Sequence, residues 1–299
     1  MKKIYKIVLL ALAVSLLLVP TIVFAGGHDE RCDTKCPIIL AHGTGGSAEI
    51  FGVIEYWWGI PEALEDEGAK VYLTSVNGLD GTVDKAIEFE TQFLQIKAIS
   101  GALQFNIIGH SHGALYTRYA VSNLKLSPYV KSLTSIAGPH QGMVLADIIL
   151  KIVPTPVKWI AGDTLDFVYD YIVGDTNSNS CQNAYDVTTT HMQKIFNPNT
   201  PDMDNVYYQS WAAEAKYACP NIILDPSWRV LKVCEGANDG LVSVNSAKWG
   251  NFRGVEDGAW WSPGCDHLTI IGQLFGVTPG FNAPDFYVDV VSDLKSRGY

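Results

Sequence analysis

The sequence predicts an α/β fold built around a mostly parallel central sheet. From Cys36 onward, short apolar runs alternate with longer segments in which apolar residues recur at helical spacing, the pattern of successive strand–helix–strand units. Hydrophobic residues form 47% of the chain and charged residues 17%, while the 27 glycines and 14 prolines are spread along it. Such a chain can bury a large core. At 299 residues we expect a single domain that carries an inserted segment.

Each predicted element rests on a local pattern. Short segments rich in apolar and β-branched residues predict strands at Ile38–Ala41, Val71–Ser75, Phe105–Ile108, Leu133–Ile136 and Val230–Val233. Start and stop residues or an amphipathic period predict helices at Pro61–Gly68, Lys85–Ile99, the segment after Gly113, and Asp285–Ser296. Between about 142 and 210 the alternation lapses into apolar helical stretches at Val144–Val153 and Trp159–Val173. We interpret this segment as an insertion over the C-terminal edge of the sheet.

The first 25 residues have the features of an export signal. Three lysines precede an almost wholly apolar run from Ile7 to Phe24, and Ala25 ends a small-residue cleavage site. An uncleaved membrane anchor is the alternative, because the run approaches the length that spans a bilayer. The small residue at Ala25 favours cleavage. We therefore predict a signal peptide at 1–25, a single domain at 26–299 and a secreted protein.

The charge of the chain excludes one class of partner. The formal net charge is −10, and removing the predicted signal removes three lysines and no acid, which leaves −13. A protein this acidic lacks the basic surface that binding to nucleic acid or to anionic membranes requires.

Six cysteines are an even number in a chain with an export signal, and none is spaced with histidine as in a zinc finger. We therefore expect disulfides. A bridge between Cys234 and Cys265 would hold together the loops that carry the proposed acid and base, although the sequence does not determine the pairing.

The segment Gly109–Gly113, with the sequence Gly-His-Ser-His-Gly, fits the nucleophile elbow pattern G-x-S-x-G. An apolar strand is predicted before it and a helix after it, as the elbow requires. The serine sits on a strained turn that exposes its hydroxyl above the sheet, and a Cβ at either glycine would collide with the neighbouring elements. This context predicts an α/β-hydrolase fold with Ser111 as the nucleophile.

A serine hydroxyl needs a base to remove its proton, and in this fold the base follows the nucleophile late in the chain. After Ser111 the histidines are His112, His140, His191 and His267. His112 belongs to the elbow itself, His140 follows the next strand too soon, and His191 lies in the insertion. The remaining histidine, His267, is therefore the predicted base.

Asp239 is the predicted acid because it precedes the histidine loop and follows the apolar run at Val230–Val233. Its setting, Asn-Asp-Gly, is also ordinary turn chemistry. Asp225, Asp257 and Asp266 are weaker candidates.

The first strand runs into His42–Gly46, a glycine-rich loop of the kind that contributes a backbone amide to an oxyanion hole. Thr44 and His112 are the predicted amide donors. A plain strand-to-helix loop is the alternative for the first of them.

Taken together, these segments resemble the secreted bacterial true lipases of the Pseudomonas type. The matching segments are His42-Gly43, Glu55–Pro61, Gly68–Tyr72, Asn106–Gly113, Arg118-Tyr119, Gly138–Gly142, Ser210–Ala212, Asn238–Ser243 and His267-Leu268. The resemblance implies a catalytic triad of Ser111, Asp239 and His267, with the inserted segment serving as a lid at an oil–water interface. Both predicted amide donors depart from the family, which has leucine at Thr44 and glutamine at His112.

The family also binds a structural calcium ion near its histidine loop. The resemblance places one aspartate ligand at Asp225 and the second at Thr269, where the carboxylate is lost, with Gln273 and Val277 as backbone carbonyl ligands. One carboxylate makes a poor calcium site, so a structural calcium stays open, and the chemistry itself requires no cofactor.

We therefore expect a secreted serine hydrolase of carboxylic esters, with a triacylglycerol or another lipid ester as the substrate and an acyl-enzyme intermediate. An esterase or polyester depolymerase with the same triad is the closest alternative, and a non-catalytic binding protein on a hydrolase scaffold is the alternative from another class. The sequence leaves open whether a folding chaperone is a partner.

Overall fold

The computed structural model describes residues 30–44, 49–50, 54–152, 178–273 and 278–299. The predicted signal peptide and the stretch Trp159–Val173 lie outside these residues. Among the helices of the described ranges, none has both the length and the apolar composition needed to cross a membrane.

Six parallel strands form the central sheet. In chain order the strands are β1 (Ile38–Ala41), β2 (Glu49–Ile50), β3 (Ile54–Glu55), β4 (Val71–Thr74), β5 (Phe105–His110), β6 (Val130–Ile136), β7 (Tyr207–Ala213) and β8 (Asn251–Glu256). The spatial order in the sheet is β4-β1-β5-β6-β7-β8, whereas β2 and β3 form a short antiparallel pair. Each neighbouring pair in the large sheet runs parallel, so the carboxyl ends of all six strands meet at one edge.

The connections between strands are mainly helical. The helices are α1 (Ile60–Asp66), α2 (Thr82–Ser100), α3 (His112–Ser122), α4 (Val144–Ile149), α5 (Ser178–Asp186), α6 (Thr189–His191), α7 (Asn197–Asn199), α8 (Asp225–Cys234), α9 (Val244–Ala247) and α10 (Ala283–Ser296). One turn of π-helix, Met192–Phe196, joins α6 to α7.

Helices cover both faces of the sheet, as the sequence predicts. Because side chains alternate along a strand, Ile38 and Leu40 pack with the apolar side chains of α1 and α10 on one face. Ile39 and Ala41 pack with those of α2 and α3 on the other. Burial on both faces explains why the central strand β1 is a continuous apolar run rather than an alternating one.

One predicted strand is wrong. Val230–Val233 lies in α8, which begins at Asp225 with Pro226 in its first turn. Val230 and Leu231 are buried while Val233 is 70% exposed, which is the one-sided burial of a surface helix. The aspartate and proline at its start are signals for a helix N-terminus, and they outweigh the four-residue segment Val-Leu-Lys-Val, which is too short to show a period.

The other predicted strands and the helices at Pro61–Gly68, Lys85–Ile99 and Asp285–Ser296 are confirmed to within a few residues. Two strands of the sheet, β7 and β8, have no counterpart among the predictions. Only the segment Ser210–Ala212, noted for its resemblance, falls within β7.

The inserted segment enters the core at both of its described ends. Leu145 and Ile148 of α4 pack in the same cluster as Ala184 and Met192, which follow the part of the insertion outside the described residues. The described parts of the insertion therefore form part of the folded body, and the lid remains a prediction for the rest.

The predicted disulfide between Cys234 and Cys265 is absent, and all six cysteines, each of which is described, are free thiols. Cys234 is exposed at the end of α8, whereas Cys265 is fully buried. Burial raises the pKa of the Cys265 thiol well above its usual value, so that thiol stays protonated.

Because the two thiols are free, replacing them should have unequal effects. We expect Cys234→Ser to change the free energy of unfolding by less than about 0.5 kcal/mol, because its side chain is at the surface. Cys265→Ser should cost about 1–3 kcal/mol, because it places a hydroxyl in an apolar pocket. Urea denaturation of both variants without reductant measures this, and equal losses of about 2–5 kcal/mol would instead indicate a bridge.

Candidate active site

Ser111 lies on a one-residue turn between β5 and α3. Its backbone has φ 55° and ψ −128°, a strained conformation for a residue with a side chain. A Cβ at Gly109 would lie 2.7 Å from the Ala114 nitrogen, and a Cβ at Gly113 would overlap the Ala41 carbonyl oxygen. The two glycines therefore let the helix start directly against β5 and β1, which forces the strained turn.

The loop after β1 passes beside this turn. A Cβ on Gly43 would lie 2.7 Å from the Cβ of Ser111, and the next residue, Thr44, is buried. His112 is the first residue of α3, so its amide has no acceptor within the helix. The two residues predicted to line an oxyanion hole thus flank Ser111, one on the loop and one on the helix.

His267 and Asp239 form a buried hydrogen-bonded pair. His267 Nδ1 lies 2.7 Å from Asp239 Oδ2, and the two side chains are 0% and 1% exposed. The other carboxylate oxygen of Asp239 accepts hydrogen bonds from the amides of Leu241 and Val242 at 2.9 and 2.7 Å. The carboxylate is therefore fully satisfied, and it orients the imidazole so that its proton resides on Nδ1.

Main-chain hydrogen bonds hold the two loops that carry this pair. Ala215, just past the end of β7, forms isolated bridges with Asn238 and with Gly264. The His267 amide in turn donates to the Asp239 carbonyl at 2.9 Å. The sequence predicted that Asp239 follows the end of a strand. In the structure it is instead held beside Ala215, which extends β7.

The second ring nitrogen of His267, Nε2, is buried without a hydrogen-bond partner in the described part of the chain. It is the nitrogen that would accept a proton from Ser111. The ring of His267 packs against His110, the residue before Ser111, with centroids 4.6 Å apart. The pair therefore lies next to the elbow, with its basic nitrogen uncommitted.

The other candidate histidines have different partners. His140 hydrogen-bonds Ser135 at 2.8 Å and stacks on Trp249. The ring of His191 contacts the backbone carbonyl of Asp186 at 2.8 Å.

The alternative acids are also engaged elsewhere. Asp225 pairs with Arg229, and Asp257 lies 3.4 Å from Lys216. Asp266 hydrogen-bonds Asn221 and Thr269.

Tyr56 connects the β1 loop to the elbow and was given no role from sequence. Its hydroxyl accepts from the Gly43 amide at 2.8 Å and lies 2.6 Å from His110 Nδ1, to which it can donate. Burial and the neighbouring His267 hold the pKa of His110 well below its usual value, so that ring is neutral. The only sequence signal was that Tyr56 falls in the matched segment Glu55–Pro61.

A second network anchors the histidine loop. The carboxylate of Asp266 accepts from the Asn221 amide nitrogen and side chain at 2.6 and 2.8 Å, and from the Thr269 hydroxyl at 2.9 Å. Burial raises the pKa of Asp266, and these hydrogen bonds act in the opposite direction. No local pattern around Asn221 indicated this role.

The residues at the predicted calcium site do not fit calcium. One oxygen of Asp225 is 2.7 Å from the Arg229 guanidinium, and the other is buried without a partner among the described residues. Thr269 is committed to Asp266, and the Gln273 side chain donates to the Tyr56 carbonyl at 2.9 Å. Val277 lies outside the described residues. One neutralised carboxylate falls far short of the six to eight oxygen ligands that calcium takes, and no group of three or more acidic, histidine or cysteine side chains in the described ranges could hold a metal.

Comparison with known proteins identifies the family of the chain. A family model described as the alpha/beta hydrolase fold matches residues 37–168. The triacylglycerol lipase of Vibrio cholerae serotype O1 is 33% identical over the whole of both chains. Triacylglycerol lipase 2 of Saccharomyces cerevisiae is 30% identical over 82% of this chain and 75% of its own length.

Solved structures share the fold at lower identity. The mature form of a Bacillus licheniformis lipase superposes with a TM-score of 0.62 at 22% identity, covering 81% of this chain and 89% of its own. The Staphylococcus hyicus lipase superposes with a TM-score of 0.59 at 17% identity, covering 89% and 98%.

The network at Asp266 predicts a pH-dependent loss of stability in Asn221→Ala. The raised pKa means that the folded protein binds this proton more readily than the unfolded chain, so the stability contributed by Asp266 falls as pH rises through that pKa. The ionised carboxylate depends more strongly on the Nδ2 donor of Asn221 than the neutral acid does, because hydrogen bonds to a charged group are the stronger ones. We therefore expect the variant to lose about 2–3 kcal/mol at pH 7 and much less near pH 4.

Urea denaturation at both pH values measures this difference. Asn245→Ala is the matched control, because its amide contacts only the exposed Lys248 side chain. A loss that does not change between the two pH values would contradict a role through Asp266.

Proposed function

The chain belongs to the triacylglycerol lipases of the α/β-hydrolase superfamily, and from this premise we propose that it is an exported lipase that uses Ser111, His267 and Asp239 as its catalytic triad. Its relatives identify it as a hydrolase of the lipase and esterase class that acts on lipid esters. The buried His267–Asp239 pair, with its uncommitted nitrogen beside a strained serine turn, is the observation that carries the proposal.

The first half-reaction transfers the acyl group to the enzyme. His267 Nε2 takes the proton of Ser111 as its hydroxyl oxygen attacks the ester carbonyl carbon. The amides of Thr44 and His112 donate to the oxyanion that forms, and Asp239 stabilises the charged imidazole. The tetrahedral intermediate then breaks its bond to the alcohol oxygen, which leaves with the proton that His267 carried.

The second half-reaction releases the acid. A water molecule gives its proton to His267 as its oxygen attacks the acyl-enzyme carbonyl. Collapse of the second tetrahedral intermediate breaks the bond to Ser111, whose oxygen recovers the proton from His267. One ester and one water therefore yield one alcohol and one carboxylic acid, with the enzyme unchanged.

Acylglycerols are the substrates we favour, because both relatives cited above are named triacylglycerol lipases. A net charge near −13 after loss of the signal fits an uncharged oil surface better than an anionic membrane. Export follows from the predicted signal at 1–25, and the segment between α4 and α5 is our candidate for the lid. A dedicated folding chaperone is a partner to be sought by refolding the purified chain alone.

Ser111→Ala should lower kcat/KM for p-nitrophenyl esters by about four to six orders of magnitude, because no other group can form the acyl-enzyme. A fluorophosphonate probe should label the parent protein at Ser111 and leave the variant unlabelled. Ser100→Ala, on the outer part of α2, is the control and should behave like the parent.

Emulsified tributyrin and triolein, compared with soluble esters, separate the candidate activities. A lipase should hydrolyse the emulsions, whereas an esterase or polyester depolymerase should prefer soluble short-chain esters or polymer films. Equal activity of the parent and Ser111→Ala would refute the triad.

We also propose that neither the chemistry nor the histidine loop uses a metal. Incubation with EDTA should then leave the rate of ester hydrolysis and the melting temperature unchanged, because Asp225 is neutralised by Arg229 and hydrogen bonds hold Asp266. Both quantities are measured before and after dialysis and again with added calcium. A loss on EDTA treatment that calcium restores would contradict this proposal.

A further inference from the structure

A cluster of buried polar side chains lies behind the elbow and takes no part in the triad. It comprises Thr44, Thr82, Lys85, His112 and Asn183, each buried, with Lys85 0% exposed. A fully buried lysine is rare unless its ammonium group is paired. The cluster therefore needs an explanation in terms of what Lys85 contacts.

The contacts of Lys85 determine the protonation of His112. Lys85 Nζ donates to Asn183 Oδ1 at 2.8 Å and lies 3.1 Å from His112 Nδ1. Because an ammonium group can only donate, Nδ1 must accept and the imidazole proton must reside on Nε2. Nε2 lies 2.7 Å from Thr82 Oγ1, which accepts the hydrogen bond from Nε2–H. Burial and the charge of Lys85 hold the pKa of His112 well below its usual value, so the ring stays neutral.

This network joins both amides of the proposed oxyanion hole. His112 bears one of them, and Thr44, which bears the other, has its hydroxyl 3.1 Å from His112 Nδ1. The Thr44 hydroxyl and the Lys85 ammonium group therefore both contact the same nitrogen of the His112 ring.

We propose that Lys85 is a positioning residue for the oxyanion hole, whose ammonium fixes the His112 ring beside Thr44 and adds positive charge behind the two amides. The proposal rests on the triad mechanism above and deepens it. A preorganised positive group in a water-excluded site stabilises a developing oxyanion without reorganisation during the reaction.

The charge on Lys85 depends on the groups that face it. The acidic groups are Asp186 from α5, Asp80 from the loop before α2, and Glu88 from α2 itself, and they favour the ammonium form. His112 from α3 and His42 from the end of β1 are both neutral rings whose pKa values burial lowers.

Burial outweighs the three carboxylates and lowers the pKa of Lys85 to about 7. The ammonium form therefore predominates below this pH and is lost as pH rises through it. The contribution of this charge to catalysis should likewise fall as pH rises through the same pKa.

Lys85→Met tests the proposal, because methionine fills the buried space without the charge, a replacement that proteins often tolerate. We measure kcat and KM for p-nitrophenyl butyrate from pH 6 to pH 9, with active sites counted by fluorophosphonate labelling. Removing one oxyanion donor costs roughly a hundredfold or more in kcat, so for this indirect group we expect about a tenfold loss at pH 6 with KM unchanged. The ratio of parent to variant kcat should shrink towards pH 9, where the parent has lost the charge as well.

Two further variants sharpen the result. Lys97→Met on the same helix, whose ammonium lies over the exposed Tyr129 ring, is the matched control and should match the parent at every pH. Lys85→Gln keeps a neutral donor for His112 and should retain more activity than Lys85→Met. It also serves as the test protein if the methionine variant fails to fold.

An unchanged kcat, a loss that is the same at every pH, or a change confined to KM would each overturn the proposal. An inactive parent protein that the probe does not label would instead overturn the triad mechanism. The two failures are therefore distinguishable.

Discussion

The close contact of Gly113 with the Ala41 carbonyl is the constraint on which the site depends. It brings α3 directly over the end of β1, so that a single residue must reverse the chain between β5 and the helix. Ser111 adopts positive φ for this reason, at a cost of about 1–3 kcal/mol that the packed parallel sheet sustains. The same geometry puts the first amide of α3 and the β1 loop on either side of the serine.

The acid and base are held by the backbone rather than by a covalent or metal link. Ala215 extends β7 by one bridge to each loop, and the His267 amide is bonded to the Asp239 carbonyl. These main-chain hydrogen bonds fix the distance between the two loops. A disulfide between Cys234 and Cys265 is therefore not needed to hold them together. The histidine loop can therefore be ordered although the cysteines are free thiols and Asp225 pairs with Arg229.

Three buried polar networks surround the triad, and each connects one site loop to the core. Tyr56 joins the β1 loop to His110, Asn221 joins Asp266 to the chain before α8, and Lys85 joins His112 to α5. Buried polar groups are costly when unpaired, so satisfied networks of this kind restrict each loop to one conformation. His267 Nε2 has no hydrogen-bond partner among the described residues, so it is available to accept a proton in the proposed mechanism.

The parallel-sheet fold and the Gly109–Gly113 elbow could be predicted from sequence alone, because strand hydrophobicity and the glycine pattern are local properties. Ser111, Asp239 and His267 were proposed from the elbow, from chain order and from resemblance, and the structure pairs the last two. The sequence misassigned Val230–Val233, since a four-residue segment is too short to show the period that separates strand from helix. Only the tertiary structure decided which side chains support the site. Lys85 and Asn183 are 98 residues apart and Asn221 and Asp266 are 45 apart, and contacts over such distances arise from packing, which leaves no pattern in neighbouring residues.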